Sequence, residues 1–155
     1  LTRAFTVIFM ATVIIWFMQT FDTRLNVVEN SADSILAALG RLVSPIFAPL
    51  GFGDWRMVTA LVSGFTAKEA VVSTFGVILG VSTEQLGIAL HSLFTTASAA
   101  SFLAFCLLYT PCVAAVSTIK TELKSGWKTV GIVFAQCLVA WLAAFMVYHV
   151  GLLLT

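Results

Sequence analysis

The chain has 155 residues, 60% of them hydrophobic and 10% charged, with a net charge of +1 and a mean hydropathy of +1.05. That balance excludes an ordinary soluble domain. A charge this near zero singles out no partner, and no nucleic-acid partner is expected.

Apolar stretches recur at 4–18 with its flanks, 57–80, 97–119 and 130–148. Each reaches or approaches the roughly 20 residues that a membrane span needs. The short alternating segments of a β-barrel do not occur in the sequence. The expected fold class is therefore all-α: a polytopic membrane helical bundle of about four spans, two of them interrupted, with one short interfacial or re-entrant helix. The lipid bilayer is its first partner.

In chain order, residues 1–21 read as a helix that ends at the polar run Gln19-Thr20-Phe21-Asp22. A polar connection over 26–33 follows, with Ser31 or Asp33 as the expected cap of a helix over 35–43. Pro45 and Pro49 are expected to terminate that helix, because proline lacks the N–H donor and clashes with the preceding turn. It is too short to span, and sequence leaves open whether it lies at the interface or dips into the bilayer. In Leu50-Gly51-Phe52-Gly53-Asp54-Trp55-Arg56 the glycines and Asp54 make a turn and an N-cap, while Trp55 and Arg56 suit the interface.

The second apolar stretch is interrupted at Ser63-Gly64-Phe65-Thr66-Ala67-Lys68-Glu69, with a helix resuming over 66–79 and stopped by Gly80. After the connection 81–96, the third stretch contains Tyr109-Thr110-Pro111-Cys112. Pro111 breaks the ladder there and frees the Leu107 carbonyl, a costly event in hydrocarbon unless the break packs on protein or lines a cavity. Residues 121–126 turn the chain into a final helix over 127–149, with Trp127 and Tyr148 as interfacial anchors. The whole of 1–155 reads as one transmembrane domain, and 127–150 as its last span.

Arg24, Arg41 and Arg56 lie between the first two spans, and Lys120, Lys124 and Lys128 between the last two, whereas 81–96 holds no Lys or Arg. The positive-inside rule places both basic loops in the cytoplasm and 81–96 outside, with both ends of the chain outside. The opening Leu1-Thr2-Arg3, with no initiator Met and no signal-peptide pattern, is expected of a piece of a longer protein. The three cysteines all have apolar surroundings, so no disulfide framework is expected.

Two interrupted spans in one bundle point to a transporter or channel, since discontinuous helices build ion sites near the midplane. Packing kinks are the alternative for either break taken alone. Lys68 and Glu69 are costly inside a membrane and need a cavity or a partner. They are read either as pathway or gate residues, with Glu69 a candidate oxygen ligand, or as surface residues capping the second half-helix. Cys112 offers a thiol at the proline break, a ligand suited to Cu(I), Zn or ferrous iron and ill-suited to Na⁺, K⁺ or Mg²⁺. Cys106 and Cys137 read as small buried hydrophobes. His91 and His149 lack metal-ligand spacing and read as interfacial. Ser73-Thr74 and 95–101 suggest close helix packing, and Gln136 a cross-helix hydrogen bond. No GxxxxGK[ST] or HExxH motif occurs, so the chain is not expected to be an enzyme.

Pro49-Leu50-Gly51-Phe52-Gly53-Asp54-Trp55-Arg56, the run from Gly64-Phe65-Thr66-Ala67-Lys68-Glu69 to Thr74, and Leu107-Leu108-Tyr109-Thr110-Pro111-Cys112-Val113-Ala114 resemble, in order and spacing, the C-terminal membrane region of the FeoB ferrous iron transport family. The likeness extends from about 35 to 148 and falls on that family's second gate, itself distantly related to nucleoside-transporter gates. It implies a bacterial inner-membrane Fe(II) permease that carries Fe(II) as cargo, with no permanently bound cofactor. Residues 31–80 and 97–120 are then the gate-like segments, and Thr110, Pro111, Cys112, Lys68 and Glu69 line the gate. Cys112 becomes the iron-path thiol, with Glu69 a second metal candidate. The implied partners are the N-terminal half of the same permease, comprising a first gate and a GTPase domain, and a homo-oligomer is among the assemblies allowed. One departure is the family's Ile-Lys-Arg-Glu, which is Ile119-Lys120-Thr121-Glu122 here and removes one basic residue from a cytoplasmic loop. The other readings are a gate-type nucleoside or organic-solute transporter, and a non-transporting membrane scaffold for a GTPase.

Overall fold

A computed structural model describes residues 2–22, 24, 26–28, 31–65, 70–109 and 112–154. The described residues fold as eight α-helices: α1 (Thr2–Thr20), α2 (Ile35–Phe47), α3 (Trp55–Gly64), α4 (Ala70–Leu79), α5 (Thr83–Leu93), α6 (Thr96–Leu108), α7 (Val113–Leu123) and α8 (Gly126–Leu154). Short 3-10 turns at Ser31–Asp33 and Ala48–Leu50 flank α2. One isolated antiparallel bridge, Phe21 to Val27, closes the chain reversal after α1.

Two helical units are long and apolar enough to cross a membrane: the stretch Thr96–Leu123, made of α6 and α7, and α8. Two bent pairs would bring the number to four if each counts as one span. The 103° bend lies between Ile35–Leu50 and Trp55–Gly64, and the 80° bend between Ala70–Leu79 and Glu84–Leu93. The apolar part of α1, Phe5–Thr20, is shorter.

This pairing differs from a single interrupted pass over 57–80. Val71 of α4 lies directly against Gly64 of α3. Seven residues of continuous helix would hold them about 10 Å apart. α3 and α4 therefore pack against each other rather than continuing as one straight helix. The connection 81–96 likewise holds a helix, α5, which Ser82 precedes in extended conformation.

The cap of α2 is Ser34, not Ser31 or Asp33. Its Oγ accepts from the Ala37 N–H at 3.1 Å, and its backbone is extended as an N-cap requires. Nor does Pro45 end α2, which runs through it to Phe47. Side chains tie this end of α2 to other segments: the Ser44 hydroxyl donates to the Gly53 carbonyl, and the Trp141 indole of α8 donates to the Ile46 carbonyl at 3.0 Å. Asp54 caps α3 as expected, accepting from Arg56 N–H at 2.8 Å. Between them Gly51 turns the chain at φ +80°, and the Tyr148 ring fills the space where a Cβ would stand. Tyr148 is therefore a packing residue against this turn. Arg41 and Arg56 both lie over the Trp55 ring, at 5.1 and 5.6 Å, clustering charge at that end.

The core is an aromatic stack completed by small residues. Phe52 is fully buried and meets Phe102 edge-on at 5.4 Å, while Phe47 meets Phe105 edge-on at 5.1 Å. Ala140 and Ala144 of α8 are fully buried against it. Small side chains let α6 and α8 approach closely: the Ser101 hydroxyl donates to the Ala144 carbonyl at 2.8 Å, and Gly151 abuts Ala97. The small polar stretch 95–101 thus serves packing, and Thr95 with Ser98 also forms the capping box that starts α6.

Candidate transport gate

The two helix breaks meet. α3 is closed by its C-cap Phe65, whose N–H turns back to the Val62 carbonyl at 3.2 Å in a tightened last turn. That shift leaves the Leu61 carbonyl open to the Tyr109 hydroxyl, which donates to it at 3.4 Å from the end of α6. Phe65's own carbonyl, a helix-end acceptor, takes the N–H of Val113 at 3.1 Å. Val113 is the first residue of α7, where N–H groups have no partner inside their helix. One broken helix therefore satisfies the other.

Tyr109 is the pivot of this crossing. It is buried, stacks on Phe105 at 5.4 Å, and leaves the helix in extended backbone conformation. A Cβ on Gly64 would stand 2.8 Å from its hydroxyl and overlap Val71, so the crossing requires glycine there. Ser63, also buried, receives a 3.4 Å hydrogen bond from the Gln19 amide of α1. The cross-helix amide is Gln19; Gln136 makes no hydrogen bond to a described residue.

Cys112 is half-buried and forms the N-cap of α7, one residue before the Val113 bond to Phe65, and its thiol makes no capping bond. Its partners in the sequence reading, Thr110, Pro111, Lys68 and Glu69, lie outside the described residues. Leu107, whose carbonyl was expected to be freed, is not without a partner. Among the described residues no three His, Cys, Asp or Glu side chains cluster as a metal site would. Sequence reasoning missed Tyr109, Gly64 and Gln19 as contributors to this junction. The glycine beside the break was the available signal for close approach.

Two apolar grooves flank the crossing, and Tyr109 borders both. One, of about 700 Å³, lies between α4, α5 and α6 and includes Phe75, His91, Phe94 and Cys106. The other, of about 690 Å³, lies on the α1, α2 and α8 side and includes Phe47, Phe65, Cys137 and Trp141. Cys106 and Cys137, both half-buried, border one groove each. His149 sits on α8 with its ring 4.0 Å from that of Phe145.

The family described as "Gate: Nucleoside recognition" matches residues 1–126, through α7 and short of α8 proper. The chain belongs to that gate family. It is similar to proteins named "Fe(2+) transporter FeoB": 32% identical over 99% of the chain to that of Methanocaldococcus jannaschii, 37% over 96% to that of Staphylococcus aureus strain COL, and 30% over 99% to that of Campylobacter jejuni. The chain spans only 24%, 22% and 27% of those three relatives respectively. No solved structure matches. The gate is thus a membrane segment of the kind found within these transporters, and its two breaks are the places where its helices interlock.

Proposed function

We propose that this gate is the second half of a ferrous iron permease of the bacterial inner membrane, and that Fe(II) passes at the crossing of the two broken helices beside Cys112. The observation that carries the proposal is the Val113 N–H bond to the Phe65 carbonyl, which brings both breaks to the thiol. A soft thiolate and backbone or hydroxyl oxygens together suit a borderline cation such as Fe(II). Thr110, Pro111, Lys68 and Glu69 complete the gate in this reading, with Glu69 an oxygen ligand. Fe(II) is cargo, and the partner is an N-terminal half with a first gate and a GTPase domain.

A nucleoside or organic-solute path is the second reading, favoured by the description of the matching family. The groove on the α1, α2 and α8 side is lined almost wholly by aliphatic and aromatic side chains, and the other adds only His91, Thr95 and Thr96 as polar groups besides the Tyr109 hydroxyl, which suits lipid chains better than a polar nucleoside. Uptake of ferrous iron by cells that depend on the intact permease tests the proposal. Cys112→Ser and Cys112→Ala are expected to lower uptake at least about tenfold, the loss of one ligand to a soft-metal site. Wild-type uptake and affinity in both variants would remove the thiol from the path.

A further inference from the structure

A separate feature lies at the far end of α7, where the chain turns through Lys124 and Ser125 into α8. Ser117, Lys120 and Lys124 recur at intervals of three and four and share one side of the chain, with Thr121 next to Lys120. With Ser125 and Gly126 they line a cleft of about 440 Å³ that contains no apolar side chain and no carboxylate. Glu122, the one acid of this stretch, lies two residues from each lysine and so on another face of the helix. Both lysines are exposed, and no ion pair joins either to a described residue. Lys124 takes the left-handed conformation, φ 49°, that reverses the chain between two membrane-crossing helices. The lysine pair supplies the charge, and the start of the 29-residue α8 adds to it.

The location selects the ligand. The turn joins the two units long enough to cross a bilayer, so it stands at headgroup level. Trp127, next along, is 88% exposed, an apolar ring beside a basic cleft as an interfacial anchor requires. We propose that this cleft binds the phosphate of an anionic phospholipid headgroup, held by Lys120 and Lys124 with the Ser117 and Ser125 hydroxyls as donors, the Thr121 hydroxyl being engaged by the Ser117 carbonyl at 2.9 Å. Lys128, which does not line the cleft, contributes only diffuse charge. A lipid seated here would fix the α7–α8 turn at one depth in the membrane and so anchor the far end of the gate helix.

The test uses the intact protein in mixed phosphatidylcholine and phosphatidylglycerol nanodiscs, with lipid retained after detergent exchange counted by native mass spectrometry. Wild type is expected to retain phosphatidylglycerol over phosphatidylcholine. The double variant Lys120→Gln with Lys124→Gln is expected to lose at least about tenfold of that retention. Lys128→Gln should lose far less, the Lys→Arg pair should keep it, and millimolar inorganic phosphate should not displace the lipid. If the double variant does not fold, each single Gln variant is expected to lower retention several-fold. Equal retention of both lipids, no loss in the Gln variants, an equal loss in Lys128→Gln, or displacement by free phosphate would each overturn the proposal.

Discussion

At the scale of single residues, the gate depends on two side-chain sizes and one hydroxyl. Gly64 leaves room for the Tyr109 hydroxyl and Val71, and an added methyl has nowhere to go without shifting one of them. Gly64→Ala is expected to cost about 1–3 kcal/mol, as overpacking generally does. Tyr109→Phe keeps the ring stacked on Phe105 and removes only the bond to the Leu61 carbonyl, so it should cost less, about 0.5–1 kcal/mol. Thermal unfolding of the intact protein in detergent measures both. A Gly64→Ala midpoint equal to wild type would mean that the crossing is looser than its geometry implies. Cys106→Ala and Cys137→Ala, at apolar grooves to either side, should leave ferrous iron uptake close to wild type in the same cells.

At the scale of elements, the packing of α6 on α8 holds the first half of the broken span in place. Ala144 is fully buried where the Ser101 hydroxyl reaches its carbonyl. Ala144→Leu should push the helices apart and lower stability by about 1–3 kcal/mol, read from the same unfolding midpoints. An unchanged midpoint would show that α8 is a peripheral neighbour. Such contacts were legible in sequence because small residues grouped at 95–101 have few other uses in a membrane helix. Caps were legible where the chemistry was local: Asp54 and Gly80 act as their types predict, with Gly80 at φ +64°. Ser34 was missed because three neighbouring residues share the same capping chemistry, and only the backbone decides which is extended. Pro45 misled because the partners that stabilise its helix, Gly53 and Trp141, are distant in sequence. The contact of Tyr148 with Gly51 was out of reach for the same reason, since the two lie far apart along the chain.

At the scale of the whole molecule, hydropathy indicated a membrane bundle but not how its half-helices pair. A window over 57–80 sees one apolar run, whereas Gly64 against Val71 marks a reversal inside it. The pairing of breaks was beyond sequence altogether, since the bonds between Tyr109 and Leu61 and between Val113 and Phe65 join segments that no periodicity connects. Through them the end of α6 and the start of α7 are both hydrogen-bonded to the end of α3. Discontinuous helices are the elements that form ion and substrate sites in many transporter folds. Protection of thiols from a water-soluble maleimide, in the intact permease reconstituted in vesicles under anaerobic conditions, tests this account most directly. Ferrous iron is predicted to slow labelling of Cys112 several-fold relative to Mg²⁺ while leaving Cys106 and Cys137 unaffected. Equal labelling of Cys112 with and without ferrous iron would contradict the placement of the iron path at the crossing of the two breaks.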